Sequence, residues 1–232
     1  MPLQSLLEVM RFLAGGICHQ LPGRSLQVAG VVLRLCARCT GTYLGACIGL
    51  GSVAVRRRLR ASILPPRPVL ALFGLFFVAW TIDGLNSYLE LLRFPHLYQP
   101  SNTMRLLTGT LEGLALSLTI WPLAADTLWE KPIPVAVVTP AELAVLLGPA
   151  TVVAAGASQA HPAAIVVAAI LSALGVTGML TLLNALVLAT ALHREGAFPS
   201  LRAALPLLAS SLLLGGLELL ALSLARHWVL GF

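Results

Sequence analysis

Apolar residues run along this chain in blocks, broken by short polar stretches rich in Arg, Pro and Asn. A helix that crosses a bilayer needs about 20 mostly apolar residues. Six segments emerge as candidates: 40–55, 68–89, 104–125, 141–160, 163–192 and 205–225. The fifth is longer than a span requires, which predicts a tilt, or a kink near Gly175 and Gly178. The pattern predicts an all-α fold, a polytopic helical membrane bundle of about six transmembrane spans. Residues 4–16 read as a short amphipathic helix lying at the interface, because Glu8 and Arg11 interrupt the apolar core that a signal peptide needs. No repeat or low-complexity segment divides the chain. Residues 1–232 are therefore expected to form a single integral membrane domain, with 1–39 as a Cys/His-containing interfacial segment and 40–225 as the bundle.

Composition agrees. The chain is 58% hydrophobic and 10% charged, where a soluble domain carries about 25% charged residues. The net charge of +6 does not point to nucleic acid. The only dense basic run, "RRRLR" at 56–60, directly follows an apolar segment, which is where a membrane-flanking anchor sits. Alternation of the spans puts Arg56, Arg57, Arg58, Arg60, Arg67, Lys131, Arg194 and Arg202 on one side and Arg11, Arg24, Arg34, Arg38, Arg93, Arg105 and Arg226 on the other. The totals are nearly equal, so the compact 56–60 cluster decides. It is expected to face the cytoplasm of a prokaryotic inner membrane, leaving the opposite face extracytoplasmic.

That opposite face collects unusual residues. Cys18, His19, Cys36 and Cys39 precede the first span. Cys-x2-Cys is the usual half of a zinc site, and zinc prefers four Cys or His ligands. Cys18 and His19 can supply the rest, although adjacent side chains diverge. The same residues also suit a thiol–disulfide exchanger coupled to a quinone, with Arg38 favouring a thiolate. A third reading is a structural disulfide or idle thiols. Cys47 lies inside an apolar run, where a buried inert thiol is expected.

Asp83 and Asn86 close the second span on this face, and Ser101, Asn102, Arg105, Thr108 and Glu112 open the third. Glu112 lies about 10 Å along the helix from Arg105, at about 1.5 Å per residue. Ionisable groups at such depth normally face a partner or a wet cavity. A cluster of Asp83, Arg105 and Glu112 is expected, with Glu218 as a possible member. Gly41, Gly45 and Gly49 recur every fourth residue, as do Gly109 and Gly113, a spacing that serves close helix packing.

The ordered stretches "CHQLPGRS", "CARCTGTYLG", "DGLNS" and "SNTMRLLTGTLEG" resemble the signatures of a prokaryotic membrane-protein family catalogued as domain of unknown function two-zero-eight-five. The resemblance covers about residues 15–115 and implies a multi-span protein. It marks Cys18, His19, Pro22, Arg24, Ser25, Cys36, Arg38, Cys39, Gly41, Asp83, Gly84, Asn102, Arg105 and Gly109. The Asp-Gly motif of the family commonly continues to a Gln, and here Asn86 stands close by instead. The family implies no activity.

Together these readings predict a Cys/His metal site, zinc by its ligands, formed by Cys18, His19, Cys36 and Cys39. Beside it, Asp83, Glu112 and Arg105 are the candidate catalytic residues. Arg24, Ser25, Arg38, Asn86, Ser101, Asn102 and Thr108 are candidates for binding a lipid or amphiphilic substrate. A quinone enters only under the redox reading, and a transporter or structural role is the remaining alternative. Oligomeric state leaves no trace in the sequence.

Overall fold

The computed structural model describes residues 12–28 and 31–230. Most of the expected interfacial helix at 4–16 lies outside the described residues; 12–14 are helical. Six long helices follow: α1 (Ala37–Val55), α2 (Arg67–Leu91), α3 (Asn102–Leu128), α4 (Pro140–Ser158), α5 (Pro162–Ala191) and α6 (Leu201–Leu230). Each lies on an expected span, with its ends displaced by at most five residues. Five of them, α2 to α6, are long and apolar enough to cross a membrane. The bundle is therefore helical and multi-pass.

The exception, α1, is the Gly-rich helix, and burial explains how it tolerates that composition. Gly41, Leu44, Gly45, Ala46, Gly49 and Val53 are all enclosed by neighbouring helices. Helix α3 is its main partner. In the most apolar stretch of α3, 61% of residues are buried, against 17% in α2 and 22% in α4 and α6. The outer helices instead expose large apolar side chains such as Leu75, Val145 and Leu213, which suit a hydrocarbon surround.

The α1–α3 seam is made by the spaced glycines. A Cβ on Gly45 would run into the Thr110 carbonyl oxygen, and one on Gly113 into that of Thr42. Gly41 meets Leu106, and Gly109 meets Arg38, in the same way. With no Cβ in the way, the two backbones come together along the seam. Gly175 lets α5 approach the Tyr43 carbonyl. The helix itself is continuous through Gly175 and Gly178 over its 30 residues.

Two strand pairs stand outside the all-helical expectation. An antiparallel hairpin joins β1 (Ser25–Val28) to β2 (Val31–Cys36), pairing Ser25 with Cys36. At the other end of the bundle, β3 (Ala61–Ile63) runs parallel to β4 (Ile133–Ala136). Both pairs are too short to show a period in sequence. The β3–β4 end also carries the ion pairs of Arg56 and Arg58 with Glu142, at 3.0 and 2.8 Å. There Arg60 lies over the Trp129 ring, 5.4 Å from its centroid.

Candidate functional site

The hairpin explains how residues 18 positions apart meet. It leaves the Cys18 loop through a short 3-10 turn (Pro22–Arg24), runs out along β1 and returns along β2 to Cys36 at the N-cap of α1. The returning backbone N–H of Cys36 donates to Cys18 Sγ at 3.2 Å. Gln20 N–H donates to the same sulfur at 3.4 Å, which Gln20 achieves with φ +54°, an uncommon conformation for a residue with a side chain. Cys39 N–H caps α1 onto Cys36 Sγ at 3.5 Å. Cys18 and Cys36 are buried and Cys39 is partly so. All four cysteines are free.

The sulfurs also bond one another. The thiols of Cys36 and Cys39, followed by the two amide N–H groups, draw Cys18 well below the usual thiol range. Cys36 is displaced upward, chiefly by the same bond to Cys18. The donor atoms of Cys18, His19 and Cys36 lie within 4.8 Å of one another. The exposed His19 ring accepts the Leu21 N–H at Nδ1, 3.1 Å away. Burial of part of the ring lowers its basicity, and the charge of Cys18 acts in the opposite direction. The cluster thus contains the soft donor set that a tetrahedral zinc site uses.

Arg38, between the two cysteines of α1, points the other way. It donates to the carboxylate of Asp83 and, at 3.1 Å, to Ser87 Oγ, both on α2. Tyr98 OH donates to the second oxygen of Asp83 at 2.9 Å. Asp83 is 1% exposed and has both oxygens engaged. Arg105 does not pair with Asp83 as the sequence reading expected. It donates to Ser87 Oγ (3.3 Å), Asn102 Oδ1 (3.0 Å) and Glu90 Oε2 (3.4 Å). Arg24 reaches the Ser87 carbonyl at 2.7 Å and Glu90 at 3.4 Å. Three guanidinium groups and two carboxylates therefore converge around Ser87. His19 lies within electrostatic reach of all three arginines, which makes the network continuous with the sulfur cluster.

Other expected site residues hold the frame. Asn86 accepts the N–H groups of Leu97 and Tyr98 at 2.7 and 3.3 Å and donates to the Tyr98 carbonyl at 2.8 Å, which pins the loop carrying Tyr98. Asn102 donates to the Gly23 and Ser25 carbonyls, both at 3.4 Å, and so ties the hairpin to α3. Ser25 Oγ bonds the Leu21 carbonyl, Ser101 caps α3, and Thr108 bonds back to Met104 within its own helix. Glu112 stands apart, buried deeper in the bundle on α3. Glu218 bonds Asn184 at 2.9 Å rather than joining this face.

Four contributors were not picked out from the sequence. Ser87, Glu90 and Tyr98 complete the ionic network. Arg226, in the last turns of α6, donates to the carbonyls of Gly15 (3.1 Å), Cys18 (2.8 Å) and His19 (3.1 Å). A lone arginine at the end of an apolar span was the available signal for it.

Residues 18–119 match the model of a family described as "Predicted membrane protein (DUF2085)", the family whose motifs the sequence resembles. An uncharacterized protein of the archaeon Methanocaldococcus jannaschii is 26% identical over 115 residues, covering 50% of this chain and 68% of that protein. No solved structure matches. The matched segment begins at Cys18 and ends within α3. It includes the sulfur cluster, the hairpin and the whole ionic network, and it leaves out α4 to α6.

Proposed function

We propose that the match region builds a zinc centre at one face of the membrane, set against an arginine-rich anion seat, and that the pair acts on the anionic head of a lipid or other amphiphile. The observation that carries this reading is the convergence of Cys18, His19 and Cys36 donor atoms within 4.8 Å, with backbone N–H groups already directed at two of the sulfurs. Such N–H bonds favour the thiolate that a metal needs. Cys39, expected as a ligand, is not among the donors that meet within that distance, and three protein ligands leave the fourth position of a zinc ion open. Bound there, zinc would act as a Lewis acid or activate a water.

The anion seat rests on charge balance. Arg24, Arg38 and Arg105 face Asp83 and Glu90, leaving one positive charge in excess beside the metal. The planar guanidinium groups suit a phosphate or carboxylate head group. Asp83 is a positioning residue in this scheme, because both its oxygens are occupied in holding Arg38 and Tyr98.

Metal analysis of protein purified without chelator tests the reading. The expected result is close to one zinc per chain, lost in Cys18→Ser and Cys36→Ser. Less than about 0.2 zinc per chain in the wild type, unchanged by either substitution, overturns it. The three adjacent free sulfurs support one other reading, thiol–disulfide exchange linked to a quinone. That reading predicts a metal-free protein whose Cys36 and Cys39 change alkylation state with redox potential. The positive cluster at Arg56–Arg60 favours an extracytoplasmic position for the site in a prokaryotic inner membrane. Whole-cell labelling of cysteines introduced at each end of the bundle checks that placement.

A further inference from the structure

Glu112 is buried in the middle of α3, 5% exposed, about 10 Å along the helix axis from Arg105. Its carboxyl Oε2 is buried and has no hydrogen-bond partner among the described residues. Among the described residues no ion pair to Glu112 balances a negative charge. On its own helix, Arg105 is committed to Ser87, Asn102 and Glu90. On α1, the titratable group within its reach is Tyr43, which also senses Cys18 and Cys39. On α2, Asp83 is taken up by Arg38 and Tyr98. Helix α5 has no ionisable residue, and the only one on α4, Glu142, is paired with Arg56 and Arg58 at the far face.

An ionised carboxylate without a counter-charge is costly in such surroundings, whereas a protonated one carries no charge to desolvate. The bare Oε2 is the oxygen placed to carry the proton. From this placement we infer that Glu112 is a proton-binding site inside the membrane, one that exchanges its proton with water entering from the Cys/His face. The site does not depend on a metal at the cysteines. It gives the bundle a store for one proton next to the proposed centre, on the Tyr43 side of the α1–α3 seam.

Infrared difference spectroscopy tests it directly on the full protein in lipid. At neutral pH, wild type minus Glu112→Gln should show the C=O band of a protonated carboxylic acid. In D2O that band should shift to lower frequency within minutes, and dicyclohexylcarbodiimide should modify Glu112 but not Glu142. Carboxylate bands in place of the acid band, or an acid band that never shifts in D2O, overturn the inference. Should Glu112→Gln fail to fold, Glu112→Asp must keep an acid band at a displaced frequency; a carboxylate there overturns the inference equally.

Discussion

Arg38 crosses from the Cys-x2-Cys turn of α1 to the carboxylate of Asp83 on α2, so the residue between Cys36 and Cys39 also anchors the neighbouring span. Asp83 is 1% exposed and the Arg38 side chain 18%. Removing one member of such a pair strands the other charge in a poorly solvated place. Asp83→Asn is expected to lower stability by about 3 kcal/mol, while the apolar double variant Arg38→Met with Asp83→Leu recovers most of that loss. Thermal unfolding in detergent, run as a double-mutant cycle, reads the coupling. A single-variant loss below about 0.5 kcal/mol, the size of a screened surface pair, contradicts a buried bridge.

The glycine seam makes a steric prediction. Gly45→Ala and Gly113→Ala force a methyl group into a facing carbonyl and are expected to destabilise by at least 1–3 kcal/mol, roughly the range for overpacking. Gly51 and Gly74 have nothing within 4 Å of where a Cβ would stand. Alanine at either is expected to be neutral or slightly stabilising, because helical Gly loses more entropy on folding than Ala. Melting temperatures of the four variants side by side check the contrast. Equal losses at all four positions exclude a specific seam.

How much of this was legible in the chain follows from the length scale of each signal. Helices α2 to α6 were readable because hydropathy integrates over about 20 residues and averages out local noise. Helix α1 was found from its glycines and its basic stop, although it is too polar on average to pass as a lipid-facing span. The strands escaped because three to six residues carry no period, and the β1–β2 turn has no Asn-Gly signal. The Cys18–Cys36 meeting was expected from ligand chemistry, but the hairpin that produces it was not. Pairing was the least readable level. Asp83 and Arg105 do lie on one face, yet each takes a nearer partner, Arg38 and Glu90, and sequence spacing across separate helices does not rank such choices.

Tyr98 gives a pH signature. Burial, then its bond to Asp83, pushes the phenol from 10 up to about 12. The folded protein therefore holds this proton more tightly than the unfolded chain does. Its contribution to stability is fully present below pH 10 and is lost as pH rises toward about 12. Tyr98→Phe is expected to unfold with a shallower alkaline decline than the wild type while matching its shape near neutrality. Denaturant midpoints across this range decide, and parallel curves for the two proteins rule out the Asp83–Tyr98 bond as a cause.

Arg226 tests whether the sulfur cluster depends on the far end of the chain. Its guanidinium gathers the carbonyls of Gly15, Cys18 and His19, so it fixes the loop that presents two of the four candidate ligands. These donations go to backbone carbonyls, so their effect is one of orientation. Groups that orient metal ligands typically change affinity by 10–100-fold. Arg226→Met keeps the apolar stem that packs along α6 and removes the three donors. It is expected to weaken zinc binding by about tenfold or more in competition with a chromogenic chelator, with little change in bundle stability, because the tether is peripheral to the α1–α3 seam. Arg226→Lys, with one compact ammonium, should restore only part of the affinity, since it cannot span three carbonyls. Unchanged zinc affinity in Arg226→Met, with the metal still bound through Cys18 and Cys36, means that the hairpin alone orders the ligands and that α6 plays no part in the centre.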